Sequence, residues 1–505
     1  MRRCLLPLLA LAVGAPASVA GAAELRYAED QAPGIVNPLF TTTMSEARLG
    51  ELVFEALFTD DRKLSPQGDL ADSWEVASDG RSMVVQLREG VTWHDGKPLL
   101  PDDVIFTVRA LQDPRTASPE SGRVAAISRV TSAGPRSVRL EFDAPQLDPT
   151  ALLTFKILPA HRFSGTAVSR SDRFRTSPVG TGPYEVTSFN DDGSVSLQRY
   201  SRHRDTPAIA NITLREVPEK SYQAKLLLYE SLEALVRVLP RDLAMLQSNR
   251  SVDLYPYQTN SWWYVGINLH HGALAELPVR QALTRMVDPE ALLAPIGTGA
   301  RLSGPFVPSS PFYNHEVEPT GRNPVVAGQL LQEAGFERGD DGWARDGKPL
   351  SLRLAAPRSM ESIQEVVINL QSQLQRAGVG LEVEFLDDAA WRQRVWVQRD
   401  YDLLLSQWSF DRSEDVREQF HSRGARNFGG YANPAADDLL DRAAVSRDPQ
   451  EKKALLRELH ALVAADAPMV FLWTLDSYSA VSRTVSQVEI HPFYYFTWVT
   501  DWVME

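Results

Sequence analysis

Cysteine is almost absent from this sequence. One cysteine, Cys4, occurs among 505 residues, and it lies within the first 23 residues, which we interpret below as a leader. The folded chain is therefore expected to contain no thiol. This excludes disulfide bonds, zinc-thiolate sites and cysteine nucleophiles.

Excess positive charge and long hydrophobic runs are also missing. The 52 lysines and arginines are outnumbered by 65 aspartates and glutamates, and the net charge is -13 at pH 7. This sign is unfavourable for contact with a phosphate backbone, so we expect no nucleic-acid binding. After the leader, no stretch reaches the roughly 18 uncharged apolar residues of a membrane-spanning helix, so we expect no membrane span.

The first 23 residues have the features of a secretory signal peptide. Arg2 and Arg3 precede a short apolar run at 5–13, and small residues at 15–23 offer cleavage sites. A membrane anchor would need about 20 apolar residues, which is more than this run contains. Cys4 precedes the apolar run, whereas a lipoprotein cysteine follows it. The sequence thus predicts a cleaved signal peptide over residues 1–23 and a free, exported protein that is not a lipoprotein.

The rest of the chain is typical of a large folded protein. Its length corresponds to roughly three domains, and 43% hydrophobic with 23% charged residues is an ordinary globular composition. Short strands and turns at 73–93, followed by a helix at 101–112, predict a small α+β unit. The turn-rich segment 177–184 predicts a boundary, with the chain returning to a different sheet at Tyr184.

The C-terminal part alternates between strand and helix. Apolar spacing predicts strands at 350–354, 379–385 and 401–407, and helices at 363–374 and 391–398. This order implies parallel strands with helices on their faces. Two further helices are expected at 434–445 and 449–465, the second with Asp448 as cap and Glu451 completing a capping box, and a strand follows at 469–473.

Parallel topology indicates where a ligand binds. In open α/β sheets ligands bind beyond the carboxyl ends of the strands. Arg358 follows the first of these strands, and the segment 408–411 with Trp408, Phe410 and Asp411 follows the third. We therefore expect a cation, an anion and two aromatic rings at one cleft. The alternatives are a solvated surface arginine and a carboxylate that caps a loop.

Several consecutive motifs resemble the family 5 extracellular solute-binding proteins, the periplasmic components of peptide and nickel ABC importers. They are LVFEALF at 52–58, LADSWE at 70–75, LREGVTWHDG at 87–96, DDV at 102–104, TGPY at 181–184 and VRQAL at 279–283. The resemblance implies an α/β fold of the two-lobe periplasmic binding protein type (type II, cluster C) with an extra α+β subdomain. The implied role is capture of a peptide or similar small ligand between the lobes and its delivery to an inner-membrane ABC permease.

The resemblance also implies a division of the chain. Lobe I comprises 24–60, 180–268 and 481–505, the extra subdomain is 61–179, and lobe II is 269–480. The protein is expected to be periplasmic and monomeric, to need no cofactor or metal, and not to be an enzyme.

Site residues follow from the resemblance. In peptide-binding members an aspartate in a Trp-x-x-Asp pattern pairs with the amino terminus of the peptide, and Asp411 fits that pattern. Arg358 matches the arginine that holds the carboxylate in the dipeptide branch. Arg412 follows Asp411 where an aromatic or small residue is expected, and it could neutralise Asp411. Further candidate ligand contacts lie on the strand after residue 261 and on a loop near the cleft: Trp263, Tyr264, Asn427 and Tyr431.

Other classes of protein fit the residues less well. The string at 342–348 has the spacing of a phosphate-binding loop, but Pro349 replaces its Ser/Thr and Asp346-Gly347 is typical of a hairpin turn. No Gly-x-Ser-x-Gly elbow occurs, and an exported hydrolase stays an alternative without an identified catalytic group. A non-peptide cargo, such as an opine, a saccharide or a nickel chelate held by His270, His271 or His421, is the other alternative.

Overall fold

The computed structural model describes residues 23–62, 65–146, 148–258, 261–358, 363–409, 414–446, 448–491 and 494–504. The predicted signal peptide lies outside these ranges except for its last residue. Among the helices that are described, none is long and apolar enough to cross a bilayer.

Two sheets organise the chain. The first has eight strands: β1 (Glu24–Glu29), β8 (Tyr184–Phe189), β9 (Val195–Arg199), β10 (Asn211–Glu216), β11 (Ala234–Leu235), β12 (Val252–Gln258), β14 (Gly299–Arg301) and β22 (Trp473–Ser482). Their order is β12-β22-β11-β1-β10-β9-β8, and β14 pairs with β22. The sheet is mixed, because β1 runs parallel to β10 and β11 while β22 is antiparallel to β11 and β12.

The second sheet has the order β19-β18-β20-β13-β21. Its strands are β13 (Ser261–Ile267), β18 (Ser351–Pro357), β19 (Gly380–Leu386), β20 (Leu403–Ser409) and β21 (Met469–Phe471). β18 runs parallel to β19 and β20, which confirms the parallel topology predicted from the alternation of strand and helix. We call the parts of the chain built on the first and second sheets lobe I and lobe II.

Amphipathic helices cover both sheets. The helix over 363–377 buries the apolar face that the sequence predicts, including Val366, Val367 and Leu370. The helices are α1 (Met44–Val53), α2 (Pro101–Gln112), α3 (Pro149–Leu152), α4 (Lys220–Leu228), α5 (Pro240–Gln247), α6 (Leu277–Met286), α7 (Pro289–Leu293), α8 (Pro324–Glu333), α9 (Ile363–Ala377), α10 (Asp388–Arg392), α11 (Arg417–Phe420), α12 (Pro434–Val445) and α13 (Pro449–Asp466).

The predicted α+β unit is a four-stranded antiparallel sheet with α2 packed on it. The Asp103 carboxylate accepts the Leu100 N–H at 2.8 Å at the start of α2. Smaller strand pairs complete the structure, and the Asp346-Gly347 turn between two of them has φ values of 52° and 72°, which confirms the predicted hairpin. The strands are β2 (Phe58–Asp60), β3 (Pro66–Gly68), β4 (Ala71–Val76), β5 (Ser82–Leu87), β6 (Ile127–Gly134), β7 (Ser137–Phe142), β15 (Glu337–Gly339), β16 (Gly342–Arg345), β17 (Lys348–Pro349), β23 (Val485–Ser486) and β24 (Val503–Met504).

The chain passes between the two sheets from β12 to β13 and again from β21 to β22. β12 ends at Gln258 and β13 begins at Ser261, while β21 ends at Phe471 and β22 begins at Trp473. The division into lobes after residues 268 and 480, which the resemblance implies, stays a prediction. Every residue of β13 is buried. A strand buried on both faces shows no alternation in sequence, so nothing marks where the chain changes sheet.

Lobe I contains a cavity of about 360 Å³ between α1, the extra unit and the segment 496–501. Charged side chains of both signs line it, and Arg204 bridges Glu55 and Asp69. Burial raises the pKa of Glu51 to about 7, although the Phe496 N–H donates to its carboxylate at 2.5 Å. The Glu51 carboxyl is therefore held in a place that favours its neutral form.

This environment predicts a pH-dependent stability. Because the folded-state pKa of Glu51 is raised, its contribution is fully present below the unfolded pKa near 4.5 and is lost as pH rises through about 7. The unfolding free energy of the wild type should fall relative to that of Glu51→Gln as the pH rises from 5 to 8. We expect this relative change to be on the order of 1 to 3 kcal/mol. Denaturant titration at both pH values measures the difference. Glu89→Gln, at a side chain 84% exposed, is the control, and parallel pH curves for Glu51→Gln and wild type would refute the expectation.

Candidate functional site

The candidate site lies at the carboxyl ends of two parallel strands of lobe II. Leu354 pairs with Leu403 and Ala355 with Leu404, and the same offset places Arg358 beside Gln407. Arg358 and Trp408 are therefore on adjacent strands at one edge of the sheet, as predicted. The antiparallel strand β13 begins at this edge, where Ser261 pairs with Ser409. β12 of the first sheet ends at Gln258, three residues before this edge.

Arg358 is exposed immediately after β18. Its backbone N–H donates to Leu386 O at 2.8 Å, and its Nε and Nη2 both donate to Phe385 O at 3.2 Å. These bonds hold the guanidinium over the end of β19. Among the described residues no carboxylate pairs with it, so its charge is available to a ligand.

Trp408 is half-buried at the end of β20 and pairs with Trp262 across the strands. Gln419, with its amide oxygen towards the indole, accepts a hydrogen bond from Trp408 Nε1 at 2.7 Å and donates to Val416 O at 3.0 Å. The Arg426 guanidinium lies over the ring, 4.9 Å from its centroid. The ring is thus held at its polar edge and covered on one face.

Asn427 and Tyr431 shape the loop beside Trp408. Asn427 Nδ2 donates to His421 O at 3.1 Å and to Tyr431 O at 2.6 Å, while its Oδ1 accepts the Tyr431 N–H at 2.9 Å. The Tyr431 hydroxyl donates to Asp466 at 2.6 Å, and burial together with that carboxylate raises its pKa well above the usual range. Both side chains make hydrogen bonds within the chain, and these bonds hold the loop in position.

Tyr264 and Trp263 point to opposite faces of β13, because side chains alternate along a strand. Tyr264 lines a small cavity of about 30 Å³ beneath the loop, and burial raises its pKa to about 12. Trp263 instead stacks on Trp473, with ring centroids 5.9 Å apart, in the core of lobe II. The Trp263 side chain therefore belongs to the core of lobe II and is not part of the site proposed below.

Phe410 and Asp411 lie outside the described residues, and so does Arg412. Glu414 is the first described residue after them. Burial raises its pKa to about 7, against a hydrogen bond from the Ser310 hydroxyl. The candidate amine anchor and its competing arginine therefore stay predictions.

The structure adds two residues that the sequence did not single out, Arg426 and Trp396. Besides Arg426, Trp396 stacks on Phe428 with ring centroids 5.4 Å apart and planes at 14°. Trp396 is 48% exposed and lies in a π-helical turn, Gln393–Gln398, a type of irregularity that is frequent at functional sites. Arg426 directly precedes the candidate residue Asn427, but no local pattern predicts its contact with Trp408.

Two of the three candidate histidines lie beside carboxylates of the protein. His271 Nδ1 lies 3.1 Å from Asp402, and buried His421 lies 3.7 Å from Asp437. Over the ranges that the structure describes, no group of three or more His, Cys, Asp or Glu side chains is arranged to hold a metal ion.

Known proteins of similar sequence include an oligopeptide-binding protein. Protein XP55 of Streptomyces lividans is 28% identical over 437 residues, which cover 84% of this chain and 79% of that protein. The oligopeptide-binding protein AppA of Bacillus subtilis (strain 168) is 23% identical over 480 residues, which cover 91% of this chain and 88% of that protein.

Solved structures confirm the two-lobe α/β fold. AppA from Bacillus subtilis in complex with a nonapeptide superposes with a TM-score of 0.77 at 22% identity, covering 95% of this chain and 99% of that one. NikZ from Campylobacter jejuni in complex with Ni(L-His) gives the same values. The model of the bacterial extracellular solute-binding proteins, family 5 Middle, matches residues 65–458. The chain therefore belongs to the family 5 bacterial extracellular solute-binding proteins.

Proposed function

We propose that this protein captures a peptide or similar small ligand between its two lobes and delivers it to an inner-membrane ABC permease. The observation that carries the proposal is the shared edge of the lobe II sheet. Arg358 and Trp408 lie at that edge, and the β12–β13 crossing enters there. A ligand at this edge therefore sits next to the connection about which the lobes close.

The end groups of a peptide match the charges proposed for the cleft. Arg358, with its guanidinium held by a backbone carbonyl, binds the carboxylate. Asp411 binds the amine, and Trp408 and Phe410 flank the chain between them. Pairing at both ends matters because a charged terminus that is buried without a partner is strongly unfavourable.

The protein is exported by a cleaved signal peptide, 1–23, to the periplasm, and it binds its cargo as a monomer without transforming it. The membership of family 5 supports transport over the alternative of an exported hydrolase. AppA with a nonapeptide and NikZ with Ni(L-His) share this fold, which makes a peptide and a metal chelate the two cargo classes that the test below distinguishes.

Ligand carried through purification provides the test. We expect native mass spectrometry of the mature protein to detect a small bound molecule, and tandem spectra to identify a peptide. Re-adding it at one hundred times its Kd should raise the unfolding free energy by about 2.7 kcal/mol, and small-angle scattering should show a smaller radius of gyration. Steady turnover of the molecule would refute a transport role, and a metal chelate in place of a peptide would refute the cargo.

A further inference from the structure

A second cation lies at the same sheet edge as Arg358. Arg426 is exposed, its guanidinium stacks on Trp408 at 4.9 Å, and its backbone N–H donates to Glu418 O at 3.0 Å. Like Arg358, it has no carboxylate partner among the described residues. The nearby Glu418 carboxylate instead accepts the Ala425 N–H at 3.1 Å.

Contact with an aromatic ring leaves the N–H donors of an arginine free for hydrogen bonds to another group. The Arg426 guanidinium carbon lies over the indole, 4.9 Å from the ring centroid, and no hydrogen bond within the described residues uses its five N–H donors. The ring therefore orients the group without using its hydrogen bonds. A planar fork held in one orientation is suited to a carboxylate, which it can bind with two parallel bonds.

The backbone around Arg426 is built to hold that orientation. Asn427, the next residue, is tied to His421 and Tyr431 by three hydrogen bonds. Gly424 packs so closely that a Cβ there would lie 2.3 Å from Glu418 O. The site is thus preorganised, which lowers the entropy cost of binding.

We propose that Arg426, stacked on Trp408, binds a second carboxylate of the ligand, so that the cargo carries at least two anionic groups. For a peptide this means an acidic side chain in addition to the C-terminal carboxylate at Arg358. The inference rests on the proposed function. The net charge of the protein is -13. Two arginines that have no acidic partner within the described residues lie at one edge, and this local positive charge favours an anionic cargo.

Matched ligands test the subsite. Titration calorimetry compares two peptides of the same length with free termini that differ only by Glu or Gln at one position. We expect the wild type to prefer the Glu peptide about five- to thirty-fold, as for a charge-assisted contact that is partly desolvated. Arg426→Gln should remove the preference, Arg426→Lys should keep part of it, and added salt should reduce it. Arg442→Gln, at another exposed arginine, is the control and should keep the preference.

The outcomes separate the two proposals. Equal affinity for both peptides, or a preference that survives in Arg426→Gln, overturns the subsite and leaves peptide binding intact. Fe(III)-EDTA forms a third arm, because it presents carboxylates without a peptide backbone. If it binds in an Arg426-dependent way and neither peptide binds, the subsite is supported and the peptide cargo is overturned. Absence of binding in all three arms overturns both.

Discussion

Replacing Gly180 with alanine is expected to destabilise the protein by more than about 3 kcal/mol. A Cβ at residue 180 would lie 1.7 Å from Val53 O, and the contact is to backbone that cannot rotate away. The segment is held closely because the Gly182 N–H donates to the same carbonyl at 2.9 Å. That bond caps the end of α1, which explains why two glycines occur here.

Thermal or denaturant unfolding of Gly180→Ala measures the loss. The control is Gly50→Ala in α1, where a Cβ meets nothing within 4 Å. Gly50→Ala should stabilise by about 0.5 to 1 kcal/mol, since alanine is the better helix former. A Gly180→Ala protein as stable as the wild type would show that the segment 180–184 can move away from α1.

Arg358→Ala is expected to weaken binding of a carboxylate-terminated ligand by roughly thirty-fold to several thousand-fold. Removing one partner of a desolvated charge pair typically costs about 2 to 5 kcal/mol, and each factor of ten in affinity is about 1.4 kcal/mol. Under the proposed function, closure of the lobes on the ligand removes water from this pair. The same ligand with an amidated C-terminus should bind the variant and the wild type almost equally.

Arg353 offers a matched control on the same strand. It lies towards the amino end of β18 and is paired with Asp400 at 2.8 Å and with Asp402. Arg353→Ala should leave affinity unchanged in titration calorimetry. If Arg358→Ala binds the free carboxylate as tightly as the wild type does, the carboxylate is held elsewhere and Arg358 is a surface residue.

Local patterns predicted the scaffold of lobe II well. The apolar spacing of β18, α9, β19 and β20 is regular, and each element occurs within a few residues of its predicted bounds. Parallel pairing then placed Arg358 and Trp408 at one edge. These predictions succeed because they depend on neighbours in the chain and on one general rule of topology.

Features set by distant contacts were not predictable. Whether Trp263 or Trp262 faces the small cavity depends on the register of β13, which its uniform burial conceals. The pairing of Arg426 with Trp408 joins a loop to a strand end, and nothing local signals it. The predicted capping box of α13 is wrong, because Ser446 donates to the Glu451 carboxylate at 2.6 Å and Asp448 alone caps the helix.

The position of β22 in the lobe I sheet determines when folding can finish. Val481 pairs with Ala234 on one side and with Asp253 on the other, so β22 fills the gap between β11 and β12. Until residues 473–482 are available, both of those strands have an open edge, which is a template for wrong pairing. The lobe II sheet needs nothing beyond residue 471. The lobe I sheet therefore cannot be completed before residues 473–482 have been synthesised, although it contains the first described strand, β1.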